Sequence, residues 1–198
     1  MTSISRRIVA VTAALTTAVV VSSCSKTEDH SQHASASTTS SSAVAAHNAD
    51  DVMFAQMMIP HHQQAVELAA LAPEHTTNQA VLKLAATISA EQQPEVRAMQ
   101  ALLLQWDVDP NAVGDHGGHG SGMAGMVDDA TMARLNSLNG PEFDTLWLQA
   151  MIGHHQGAID MAKAEIANGQ SVDMTAMAKT MVTAQQAEIN QMKQMLGG

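Results

Sequence analysis

From Asn48 onward, apolar residues recur every three or four positions through four long stretches, with Gly and Pro gathered at a few places between them. That is the period of a helix with one buried face. The first stretch runs from about Asp50 to Leu71. Asn48 can cap it, Asp50 and Asp51 suit the positive end of a helix, and Ala72-Pro73 is predicted to stop it. The second runs from about Asn78 to Trp106, with Val81, Leu82, Leu84, Ala85, Ile88, Val96, Met99 and Leu103 as its stripe. The third opens at Gly140-Pro141, where the missing N–H of proline costs nothing, and stops at Asn168-Gly169. The fourth covers about Asp173 to Leu196, and a shorter helix is predicted over Asp128 to Leu138. No period-two run of β-branched residues asks for a strand.

The pattern repeats. Met58-Ile59-Pro60-His61-His62-Gln63-Gln64-Ala65 returns 93 residues later as Met151-Ile152-Gly153-His154-His155-Gln156-Gly157-Ala158. The offset also holds, without a gap, for the second helix of each copy: Gln92-Gln93-Pro94-Glu95-Val96 matches Gln185-Gln186-Ala187-Glu188-Ile189, and Met99 matches Met192. Each copy is therefore a helical hairpin that cannot bury its apolar face alone. The expected fold is all-α, a four-helix bundle built from two repeated hairpins at about 50–105 and 143–198. A Gly-rich connection over 107–139 links them and carries His116, His119, Met123 and Met126.

The repeated element carries metal-ligand chemistry. Adjacent helical residues differ in direction by about 100°, so His61 and His62 cannot point the same way. Met58 lies between their directions one turn earlier, and Met151 stands in the same relation to His154 and His155. Met57 offers a second thioether. Asp51 and its copy Asp144 share the Met58 and Met151 stripes, and Glu95 and Glu188 come from the partner helices. Pro60 and Gly153, both poor in a helix interior, precede the two His pairs and suggest a local kink or a freed carbonyl. Helix packing alone does not ask for imidazole at the same place twice. Most of the fifteen methionines, in contrast, are expected to fill core. Imidazole with thioether and no thiolate suits copper, the sulfur favouring Cu(I) and the imidazole Cu(II). Binding is expected to weaken as pH falls through about 6.5, the ordinary His value. The Glu-x-x-His pairs of di-iron bundles and the His-Glu-x-x-His of zinc proteases are both absent from the sequence.

The start of the chain and its charge add location. Arg6 and Arg7 precede an apolar run from Ile8 to Val21, which is short for a membrane span and reads as an export signal over residues 1–23. It ends in Val21-Ser22-Ser23-Cys24, similar to a bacterial lipobox, so cleavage before Cys24 and lipidation of its thiol are expected. Cys24 is the only cysteine, which leaves no intrachain disulfide. Residues 24–47, Ser/Thr/Ala-rich with His30 and His33, read as a disordered tether to residues 48–198. The formal charge of −10, more negative still once Arg6 and Arg7 are removed, argues against nucleic acid as a partner.

Two segments, Met57 to Ala65 and Gly140-Pro141-Glu142-Phe143-Asp144 through Ala158, resemble the CopM-like family, long catalogued as a bacterial domain of unknown function with a ferritin-like helical bundle. The Gly-Met segment of the connection and Met132-Ala133-Arg134-Leu135 fit as well. The resemblance spans about Asp50 to Leu196, and the chain departs from the family at Trp147, where phenylalanine is usual. It implies copper binding and copper tolerance outside the cytoplasm, with these His and Met residues as ligands. The expectation is thus a lipid-anchored, extracytoplasmic, non-enzymatic copper-binding protein on the cell membrane. Two rivals stand beside it: a ferritin-like metallo-oxidase, and a helical interaction module whose histidines only pack. Partner protein and oligomeric state are left open by the sequence.

Overall fold

The computed structural model describes residues 46–110 and 123–197. The expected signal segment, Cys24, the tether with His30 and His33, and His116 and His119 lie outside them. Five helices order the described residues: α1 Ala49–His75, α2 Gln79–Gln105, the short α3 Asp129–Ser137, α4 Gly140–Asn168 and α5 Val172–Gly197. The four long helices form an all-α bundle, with α1 packed on α2, α4 on α5, and α1 along α4.

Asn48 caps α1 as expected, its side chain accepting from the Asp50 and Asp51 N–H groups while Asp51 reaches back to the Asn48 N–H. One boundary moved. α1 does not stop at Ala72-Pro73 but runs to His75, with Pro73 inside its last stretch. The continuation is held by contacts: His75 Nδ1 donates to the Leu138 carbonyl at 2.8 Å and its ring stacks on Phe143. α1 is also helical through Pro60, which leaves the Gln56 carbonyl without its i+4 donor.

α1 and α4 run antiparallel. Asn48 at the start of α1 bonds the Asn168 carbonyl at the end of α4, and the Trp147 indole near the start of α4 donates to the Leu68 carbonyl at 2.7 Å. That bond accounts for the indole polar group at a position 0% exposed. The core falls into two apolar clusters. One contains Phe54, Met58, Val96 and Met99 with Ala158, Ala162, Met174, Ala178 and Met181. The other contains Trp147, Met151, Ile189 and Met192 with Ala65, Ala69, Val81, Ala85 and Ile88. Each of these residues sits 93 positions from a member of the other cluster. An approximate two-fold axis therefore exchanges the clusters, and it must cross the bundle between them, at the level of His61 and His154. No helix of the described residues is long and apolar enough to cross a membrane.

Candidate metal centre

The two histidine pairs meet at this axis. His61, His62, His154 and His155 are all 0% exposed, although helix packing leaves ample surface for polar side chains. The His61 and His154 rings face each other across the α1–α4 contact, centroids 3.7 Å apart and tilted by 35°. The other two rings turn toward the flanking helices. His62 Nε2 donates to Glu95 on α2 at 2.8 Å, and His155 Nε2 donates to Glu188 on α5 at 2.7 Å. The divergence of adjacent helical residues thus gives each copy one imidazole toward its counterpart and one toward its own hairpin partner.

The centre is rich in orphaned polar atoms. Nδ1 of His61, His62 and His155, and both nitrogens of His154, are buried without a partner. So are both polar atoms of the Gln92 amide, Gln185 Oε1 and Glu188 Oε1. Buried polar groups are ordinarily hydrogen-bonded, so a cluster of this size calls for an occupant that satisfies it. Burial, with added repulsion from His62, pushes the His61 imidazole down to about 3. Burial and the charge of His61 hold His154 well below the ordinary His value. Both rings are therefore neutral at physiological pH, the form whose lone pair binds a metal. The ordinary His value of about 6.5 used in the sequence reading therefore does not hold for these two rings.

Met58 and Met151 are completely buried, on opposite sides of the histidine layer, one in each apolar cluster. Met57 is only half-buried. Asp51 and Asp144 are not brought to the centre. Each lies ten residues before a central histidine, about 15 Å along a helix. Asp51 accepts from the N–H groups of Asn48, Gln170 and Ser171, and Asp144 accepts from the Asn78 side chain. Ser171 and Asn78 are themselves 93 residues apart and open α5 and α2, so the two aspartates tie the hairpins together at the bundle ends. Among the described residues, no three His, Cys, Asp or Glu side chains converge closely enough to hold an ion. The lone pairs of stacked rings lie in the ring planes, so taking up an ion here calls for rotation of at least one imidazole.

A backbone strap covers the layer. His61 Nε2 donates to the Ala124 carbonyl at 3.2 Å, and the Gln64 amide both accepts from the Val127 N–H and donates to its carbonyl, each at 2.8 Å. Gly125, with φ +84°, lies against the backbone of Gly153 and Gly157.

Residues 51–196, nearly all of this bundle, match the family described as Domain of unknown function (DUF305). The chain belongs to that family. A DUF305 crystal structure from Streptomyces coelicolor is similar to it, with TM-score 0.70 and 33% identity over 75% of this chain and 91% of that one. CopM in the Cu(II)-bound form is similar at TM-score 0.65 and 31% identity, covering 74% of this chain and 95% of CopM. CopM in the Cu(I)-bound form gives 0.61 and 30% over 73% and 93%. No curated protein matches the chain. The resemblance to the CopM-like family read from the repeated motifs is thus shown.

Sequence reasoning missed three features of this DUF305 chain. Gln92 and Gln185 are buried in register, and their identity at the 93-residue offset was the available signal. The Ala124 carbonyl and the Gln64 clamp left no signal, because a backbone acceptor has no residue type.

Proposed function

We propose that this DUF305 chain binds copper as cargo in the histidine layer and holds it outside the cytoplasm, attached to the membrane through lipidated Cys24. The observation that carries the reading is the set of four buried histidines with five partnerless ring nitrogens at the two-fold axis. The similarity to CopM in copper-bound forms supports the choice of metal. A module whose histidines only packed would leave those nitrogens uncompensated, at roughly 1–3 kcal/mol for each unsatisfied group. Buried imidazoles, those of His61 and His154 held neutral by burial, with thioethers above and below, provide donors for both oxidation states of copper.

The test is titration of the untagged protein with Cu(I) and Cu(II) separately. Changing His61, His62, His154 and His155 together to Ala should abolish tight binding of both, with helicity by circular dichroism largely kept. Met58→Leu with Met151→Leu keeps volume and apolarity and should weaken Cu(I) more than Cu(II). Unchanged affinity in the quadruple variant would place any copper site elsewhere in the chain.

A further inference from the structure

We infer that the strap over residues 123–127 is a hinged cover that controls access to the histidine layer from the α1–α4 face, and that the Gln64 amide is its latch. This rests on the copper reading above only for what the cover admits; the opening itself is a property of the metal-free fold. The strap lies across the seam between the two helices that carry His61 and His154. On the α1 side Gln64 holds Val127 by two bonds of 2.8 Å, and His61 Nε2 donates to the Ala124 carbonyl at 3.2 Å. On the α4 side the strap rests on backbone. A Cβ on Gly125 would fall 2.7 Å from the Gly153 carbonyl oxygen and 2.9 Å from that of His154, so only glycine lets the strap come down this far. His61 is fully buried, yet Ala124, whose carbonyl it bonds, is exposed. One peptide unit therefore stands between this ring edge and solvent.

The cover is separable from the bundle. Within it the Met126 N–H bonds the Met123 carbonyl at 3.1 Å, and that turn can move as a unit. Of residues 123–127, Val127 alone is buried. The hinge has a fixed post behind it: Asp128 caps α3 by accepting from the Thr131 N–H at 2.7 Å, and Leu135, 0% exposed, holds α3 in the core. Lifting the strap breaks the two Gln64 bonds and the His61 bond and withdraws one valine. So few bonds and so little buried surface mark a segment that opens locally while the bundle stays folded. Opening also frees the ring. With the strap seated, the Ala124 carbonyl fixes the direction of His61; once it lifts, the imidazole can turn. His62 and His155 face the other way, to Glu95 and Glu188 on α2 and α5, so the route past those carboxylates leads to the outer rings and the strap route to the stacked central pair.

Histidine accessibility in the full, metal-free chain tests this. Diethylpyrocarbonate acylates unprotonated imidazole, and fragment mass spectrometry reads each histidine separately. Gln64→Ala removes both bonds of the latch and should speed acylation of His61 about 10- to 100-fold. Gly157→Ala crowds the Ala124 carbonyl and should speed it as well. His62 and His155 should keep their parental rates. Gly153→Ala, where an added Cβ meets nothing within 4 Å, should leave His61 as slow as in the parent. A His61 rate unchanged in both strap variants overturns the inference. A joint rise of all four histidines also overturns it, because it reports loosening of the bundle. Stopped-flow uptake of Cu(II) separates the cover from the copper reading. Gln64→Ala should take up copper faster, by a factor similar to that for acylation. Copper bound at an unchanged rate overturns the inference and leaves the copper reading standing. Accelerated His61 acylation in a protein that binds no copper overturns the copper reading and leaves the cover.

Discussion

Glu165 is 2% exposed, and its carboxyl is pushed up to about 8 by burial, by its hydrogen bond to Asp51 and by the charges of Asp51 and Asp50. Neither Glu165 oxygen has a hydrogen-bond partner of good geometry, and two neighbouring carboxyls interact favourably only if one carries a proton, so Glu165 is the member that keeps its proton beside Asp51. Burial raises Asp51 as well, but the N–H groups of Asn48 and Ser171 and the Glu165 donor outweigh it and lower its value. The sign of the linkage follows. Between the ordinary Glu value of 4.5 and about 8 the unfolded chain releases a proton that the folded chain keeps. Stability therefore falls as pH rises through this window, by up to a few kcal/mol at about 1.4 kcal/mol per pKa unit. Glu165→Gln imitates the protonated form and should flatten that slope, leaving the variant more stable than the parent above pH 8. Urea unfolding followed by circular dichroism from pH 5 to 9 checks this. An unchanged slope would assign the pH dependence to other groups. The 93-residue counterpart of Glu165 is Ala72, so this pair belongs to one end of the bundle only.

The strap distinguishes the two copies of the central element. α1 contributes Gln64, which grips Val127, and α4 has Gly157 at the equivalent position, where an added Cβ would collide with the Ala124 carbonyl. One identity serves as clamp and the other as clearance. Gly157→Ala should displace the strap and cost about 1–3 kcal/mol as an overpacked contact. Gly153 is different. An added Cβ there meets nothing within 4 Å, and the residue is exposed. Gly153→Ala should stabilise α4 by about 0.5–1 kcal/mol through propensity alone. Thermal or urea melts of the two variants should move in opposite directions; equal losses would show that the strap does not rest on Gly157. The pairing of Pro60 with Gly153 in the sequence is therefore no shared steric demand, since only Pro60 removes a helical hydrogen bond.

At the scale of the molecule, two hairpins unable to bury their own faces close around an axis that carries imidazole instead of hydrocarbon. Duplication in register made this legible. The apolar period placed the helices, and the doubled His-His with its upstream Met singled out four histidines that the fold then brought to one layer. Location is a separate matter and lies with the proposed anchor. Cys24→Ala should release the protein from the membrane fraction or block its processing, read by fractionation and intact mass. Retention with unchanged mass would remove lipidation from the proposal.

The sequence by itself determined the elements and the repeat, because helical period and residue identity at a fixed offset are one-dimensional properties. It also singled out the histidines, since burial of a costly side chain twice over needs a reason beyond packing. The tertiary structure alone decided where the aspartates went. Asp51 and Asp144 share a stripe with Met58 and Met151, yet two turns of rise carry them to the bundle ends, where the α5 and α2 starts supply donors. It also decided that Glu95 and Glu188 accept from the outer ring nitrogens, and that a carbonyl 63 residues away, from Ala124, orients His61. Such choices depend on which atoms meet across helices, and a hydrogen bond is set by direction over about 3 Å, which residue type and spacing do not encode.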